Sequence, residues 1–280
     1  MKKRCILGIL LGLASLASAD LRTFTALDGR TLKAQITDYN EPKGVVTIQR
    51  EDGKSISVKP EAFSEKDQTY IRKWHEGQVF LSETKFQLDL KGKKGETTKQ
   101  DHEVDYSEQS SGRGSGRGTQ IVAVDQRTKY DLNLTLKNIS KAELKNIALE
   151  YRIFYEQQKP VLDEEANKNR PTDDEDIPDI YKAEDETKVR EGKARLKPAE
   201  PGSDRTITPA TFTLLKRSAT GRGYGDKITL QSGFIGAWVR LTMKGADGET
   251  LTRDVYTSNT IPKKFSWETP EEMLAADPPN

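Results

Sequence analysis

Three Asp-Gly pairs, Asp28-Gly29, Asp52-Gly53 and Asp247-Gly248, each stand between runs in which apolar and polar residues alternate. Leu32, Ala34 and Ile36 follow the first, Val46 and Ile48 lead into the second with Ile56 and Val58 after it, and the third joins Ile235–Met243 to Leu251–Tyr256. A period of two puts one set of side chains on one face of a strand, and Gly accepts the positive φ of a tight turn that other residues resist. A chain written this way folds into antiparallel hairpins. The expected fold class is mainly β: a small barrel, then a larger antiparallel sandwich, with few short helices.

Composition narrows the functional classes. The 280 residues carry 45 Lys+Arg against 44 Asp+Glu, with one Cys and two His. A single Cys forms no intramolecular disulfide, and a net charge of +1 provides no global field for nucleic acid or anionic lipid. The start, Lys2-Lys3-Arg4, then apolar residues from Ile6 to Leu13, then Ala17-Ser18-Ala19, has the order of a secretory signal peptide. The apolar run is too short to span a bilayer, which takes about 20 residues. Residues 1–19 are therefore expected to be cleaved after Ala19, taking Cys5 with them and leaving a thiol-free chain with no transmembrane segment, periplasmic or secreted.

Residues 20–77 read as four or five short strands and then a helix. Ser64-Glu65-Lys66-Asp67 offers a hydroxyl to the first free amides and a carboxylate three residues on, and Tyr70, Ile71 and Trp74 follow at helical spacing as a lid on the barrel. Phe24, Asp28-Gly29-Arg30, Ala34, Val46-Thr47-Ile48, Asp52-Gly53-Lys54, Ile56, Val58, Phe63-Ser64-Glu65-Lys66-Asp67-Gln68, Tyr70 and Trp74 together resemble the Sla-homology-one domain, an SH3-like barrel. Phe63 stands where the family usually has Leu. The resemblance covers about a fifth of the chain and implies a peptide-binding type of fold, without a site transferable residue by residue.

Residues 78–270 return to strand patterning with Val79 and Leu81, then Phe86, Leu88 and Leu90. The pattern fades near 92–118, which ends in Ser111-Gly112-Arg113-Gly114-Ser115-Gly116-Arg117-Gly118, and again near 156–191, where Pro160, Pro171 and Pro178 interrupt an acidic stretch. Both are expected as flexible insertions. Between and after them Tyr130–Leu136, Ile147–Tyr155, Thr206–Leu215 and Ile228–Leu230 alternate. Tyr130–Asn138, Leu149–Tyr155 and Gly236–Arg240 resemble an immunoglobulin-like sandwich, which without a disulfide is expected to pack around Tyr151, Phe154 or Trp238. Residues 271–280 form a tail, preceded by a helix start at Thr269-Pro270-Glu271-Glu272.

Little points to catalysis. Only His75 and His102 offer an imidazole base, neither accompanied by a Gly-x-Ser-x-Gly elbow. Two His and no mature Cys make no zinc set, Gly221–Gly225 lacks the Lys-Ser/Thr of a phosphate loop, and Asp173-Asp174-Glu175-Asp176 lacks the order of a calcium loop. No cofactor, metal or nucleic acid is expected. The sequence points to an exported, non-catalytic protein- or peptide-binding protein, with Phe24, Tyr39, Tyr70 as exposed aromatics and Lys54 as the cation to test first. A carbohydrate-binding or carbohydrate-processing accessory protein is the alternative, with Tyr224, Trp238 and Trp267 as aromatic platforms.

Overall fold

The computed structural model describes residues 21–108, 116–168, 180–220 and 227–268, the side chains of 104–121, 220 and 227 excepted. The expected signal peptide, Tyr224, the Asp173–Asp176 run, the helix start at Thr269 and the tail lie outside the described residues. The chain is mainly β with antiparallel sheets and divides into two compact units, residues 1–75 and 76–280.

In the first unit β1 (Arg22–Thr25), β2 (Thr31–Asn40), β3 (Val45–Arg50) and β4 (Ser55–Val58) form one sheet in that order. Gly29 and Gly53 take φ of 83° and 78° in the expected turns, where the Asp28 and Asp52 carboxylates each accept the amide two residues on at 3.1 Å. A single 3-10 turn (Pro60–Ala62) brings Phe63 back beside Ala26, and Ser64 N–H donates to Thr25 O at 2.8 Å. The far edge of β1 is thus partly occupied by the returning chain. α1 (Glu65–Leu81) follows, and Ile71, Tyr70 and Trp74 on its first turns join Phe24, Ala34, Ile36, Val46, Ile48 and Phe63 in one apolar core.

α1 does not stop near Gly77. It runs on through Val79 and Phe80, both fully buried in the second core, so the strand expected at Val79–Leu81 is helix. Gly77 is tolerated inside it because a Cβ there would come within 3.0 Å of Leu251 Cδ1.

The second unit contains β5 (Phe86–Glu108), β6 (Gly116–Asn138), β7 (Ala148–Leu162), α2 (Glu164–Lys168), β8 (Tyr181–Arg195), β9 (Asp204–Thr220), β10 (Lys227–Leu230), β11 (Ser232–Lys244), β12 (Thr250–Tyr256) and α3 (Ile261–Lys264). Two four-stranded sheets result, β10-β9-β6-β5 and β12-β11-β7-β8. Phe86, Leu90, Leu132, Leu134 and Leu136 of one face Leu149, Ile153, Val239, Leu241 and Met243 of the other, all at most 5% exposed. This is a β-sandwich. Arg253 on β12 ties it to the end of α1, donating through Nη1 to Phe80 O at 2.9 Å and Phe86 O at 2.6 Å.

Both insertions expected to be flexible are largely strand. β5 and β6 pair from Phe86↔Asn138 out to Glu108↔Gly116, although every residue from Lys91 to Asp101 is exposed. From Lys91 to Asp101 backbone ladders carry β5 without a core, so this stretch leaves no apolar period to read. On the other sheet β7 pairs with β8 out to Leu162↔Tyr181, through Pro160 opposite Ala183. Pairing of β7 with β11 ends at Gln157, so β7 has an open edge at Pro160 that tolerates a missing donor. The aromatic trio Tyr130, Phe212 and Phe234, with ring centroids 5.5 to 5.8 Å apart, closes the core where the first arm begins. A Cβ at Gly92 would overlap the Phe234 ring.

Phe154 and Trp238 do not lie between the sheets. Ile153, Ala237 and Val239 point inward, so their neighbours point out, and Phe154 and Trp238 form a second apolar cluster with Val189 and Ile261 on the outer face of β11 and β7. The segment from Ile261 covers it, with Phe265 stacked on Phe154 at 4.1 Å. Tyr151 alone of the three packs against the inter-sheet core.

Candidate functional site

Of the residues expected to hold peptide, Lys54 is exposed in the β3–β4 turn, whereas Phe24 is fully buried and is core. Phe24 sits between Thr23 and Thr25 on β1, so the alternation that turns the threonines outward turns the ring inward against Phe63 and Tyr70, at 5.5 and 6.1 Å. Tyr70 is half-buried under the Arg22 guanidinium, 4.0 Å from its ring centroid. Tyr39 is half-buried too, stacked on His75 at 4.3 Å, and His75 Nε2 lies 3.2 Å from Glu41 Oε1. The structure does not gather Phe24, Tyr39, Lys54 and Tyr70 into one exposed surface.

What the first unit does expose is the β4 edge. Each of the three sheets has two edge strands, and among the described residues β4, with Ser55-Ile56-Ser57-Val58, is the one edge strand without a charged side chain. β5 by contrast carries Lys91, Lys93, Lys94 and Lys99 along its edge, the usual protection against stray pairing. Arg50 N–H donates to Lys54 O at 2.9 Å, so by antiparallel alternation residues 54, 56 and 58 bond toward β3 and the amides and carbonyls of Ser55 and Ser57 face outward. Ile56 is 41% exposed, and Lys54 and Lys59 stand at the two ends of the strand.

The second unit holds two clusters that sequence reading missed. On the β5-β6-β9 arm, Asp125 is 0% exposed and accepts Arg217 Nε and Nη2 at 2.7 and 2.8 Å, with His102 Nε2 3.0 Å away. The Arg217 hydrogen bonds, helped by His102, hold its carboxyl far below the ordinary carboxylate range despite burial. Asp125 is the one hydrogen-bond partner of His102 among the described residues, so this pair joins strands and has no hydroxyl nucleophile to activate.

On the outer face of the second sheet, opposed side chains form two rows: Asp254, Arg240, Glu150 and Lys193, then Tyr256, Trp238, Arg152 and Glu191. Arg240 pairs bidentately with Asp254 at 2.8 and 2.9 Å, which raises its already high pKa, Lys193 with Glu150 at 2.8 Å, and Arg152 with Glu191 at 2.8 Å. Trp267 lies over this face, its ring centroid 4.1 Å from the Arg240 guanidinium carbon and 4.5 Å from that of Arg152. Arg152 Nη1 is buried with no hydrogen-bond partner among the described residues, and its guanidinium faces the indole in a cation–π arrangement. A cavity of about 220 Å³ opens here, lined by Glu150, Tyr151, Arg152, Glu191, Gly192, Lys193 and Trp267. Of the sugar-platform candidates, Trp238 is 7% exposed and structural, while Trp267 is half-buried and walls the cavity.

Among the described residues no group of three or more His, Cys, Asp or Glu is arranged to hold a metal ion, and no helix is long and apolar enough to cross a membrane. In comparisons with known proteins, no family model and no curated protein matches this chain.

Proposed function

We propose that the protein is an exported, non-catalytic binding protein whose first unit, an SH3-like barrel of the Sla-homology-one type, captures an extended peptide as a fifth strand along β4, and whose second unit is an immunoglobulin-like sandwich. The observation that carries this is the uncharged, open β4 edge in a chain whose other edge strands bear charge. Strand addition draws affinity from main-chain hydrogen bonds and selectivity from alternate side chains, and needs no titrating residue. Lys54 and Lys59 at its ends select a peptide with acidic residues flanking a short uncharged core.

Peptide display on the full chain without residues 1–19 tests this. Enriched sequences are expected to place Asp or Glu at both ends of a short β-forming core. Ser57→Pro, which removes an outward amide and the Ser57–Thr47 hydroxyl contact but keeps the backbone bonds to β3, is expected to abolish enrichment, and Lys54→Glu with Lys59→Glu to invert the charge preference. Enrichment that survives Ser57→Pro would remove strand addition. For export, intact mass of the protein recovered outside the cytoplasm is expected to correspond to a chain starting at Asp20.

A further inference from the structure

We propose that the cavity beside Trp267 binds a neutral sugar ring. The charged groups around it cancel: Glu150, Glu191 and Asp254 stand against Lys193, Arg152 and Arg240, each in a direct pair. A site with no net charge attracts neither anions nor cations. It is nonetheless rich in hydrogen-bonding capacity. Glu150 and Glu191 each commit one oxygen, Oε1, to their cation, and the second oxygen of each accepts nothing among the described residues. The Lys193 ammonium, 80% exposed, keeps donors beyond the one it gives Glu150.

Paired acceptors and a spare donor beside an indole match a ligand with vicinal hydroxyls at its rim and a C–H face. That description fits a pyranose. The indole is held in advance, because Arg240 and Arg152 lie against it and the Trp238 ring meets it at 5.3 Å and 64°. Such pre-organisation lowers the entropy lost when a ligand settles. The pyranose C–H face would pack against the part of the Trp267 indole that Arg152 and Arg240 leave uncovered, with its hydroxyls donating to Glu150 and Glu191 and accepting from Lys193. The cavity, open at the β8 edge of its sheet, has room for one such ring within a longer chain.

The test is a printed array of neutral glycans probed with the full chain without residues 1–19. Retention of at least one neutral glycan is expected, persisting in about 1 M salt because no net charge is recognised. Trp267→Ala is expected to weaken it by about tenfold or more, and Glu191→Gln by several-fold. Glu191→Gln alters a side chain 40% exposed, and a melting curve within error of the parent would separate lost binding from lost folding. Ser57→Pro is expected to leave glycan retention intact, which keeps this result apart from that of the β4 edge. No retained neutral glycan, retention indifferent to Trp267→Ala and Glu191→Gln alike, collapse of binding in salt, or capture of peptides in place of glycans through Trp267 would each overturn the assignment.

Discussion

Asp125 of β6 and Arg217 of β9 are register partners as well as ion-pair partners: they oppose each other in the ladder and are joined by two parallel hydrogen bonds of 2.7 and 2.8 Å. Their strands are 92 residues apart in sequence at this point, and the carboxylate is fully enclosed while the guanidinium side chain is 44% exposed. The pair fixes a sheet region that has little apolar surface to fix it.

Asp125→Asn is therefore expected to destabilise the second unit by about 1–3 kcal/mol, since the amide puts a donor where Arg217 and His102 need acceptors. Because the native pKa lies below that of the unfolded chain, the contribution is fully present above the ordinary carboxylate pKa, about 4, and is lost as pH falls toward the native value. The variant should show a shallower loss of stability between about pH 5 and 2 in denaturant melts followed at several pH values. An unchanged slope would assign the acid sensitivity to other carboxylates.

Asp67 does the equivalent work in the first unit. Burial pushes its carboxyl up, but hydrogen bonds from Thr25 N–H at 2.9 Å, the Ser64 hydroxyl at 2.8 Å and Arg22 at 3.1 Å outweigh this and leave the pKa lowered. Asp67→Ala should cost about 2–4 kcal/mol, because it strands a strand amide and an α1 cap together. Ser64→Ala should cost less, about 1 kcal/mol. Equal losses for the two would show that the Thr25 and Arg22 contacts contribute nothing.

Gly92→Val tests the closing aromatic trio. A side chain at this position must displace Phe234 from the β5 backbone, with an expected cost of about 1–3 kcal/mol and a change in aromatic near-ultraviolet circular dichroism. Gly233→Ala, beside Phe234 on β11 of the opposite sheet but with open space around it, is the matched control and should be nearly silent in the same spectrum.

Arg253 offers a further check on the second unit. Its guanidinium, with its pKa lowered by burial, satisfies the carbonyls of Phe80 and Phe86, so Arg253→Leu leaves both without that donor and should lower the melting temperature more than Arg253→Lys, which keeps one cationic donor. Identical melting curves for the two variants would show that packing, not donation, is what Arg253 supplies.

Where a strand has a dry face, its sequence announces it. Leu132, Leu134 and Leu136 alternate because one face meets a core, and the Asp-Gly turns are local chemistry complete within four residues. The arm from Lys91 to Asp101 is wet on both faces, so nothing in its order of residues distinguishes strand from loop. The outward turn of Trp238 and Phe154 was hidden for a different reason. Their cover, Ile261 to Trp267, arrives only after β12, and where Ile153-Phe154 and Ala237-Trp238-Val239 are buried on both faces there is no polar side to read. The cavity beside Trp267 was half legible: the indole stood out as an aromatic platform, but Glu150, Arg152, Glu191 and Lys193 are ordinary charged strand residues until the β7–β8 register sets them opposite one another.

The two-sided polarity of the β5–β6 arm also bears on how the chain avoids pairing with itself out of step. A hairpin with no preferred face can slide by two residues and keep its ladder nearly intact, so hydrophobic burial at the Phe86 end cannot by itself police the far end. A slide of β6 by that much against β5 and β9 would carry Asp125 past His102 and Arg217 and leave only Arg127, 3.7 Å away on its own strand, beside the enclosed charge. The arm's alignment is thus proofread by electrostatics, at a distance from the core that proofreads everything else.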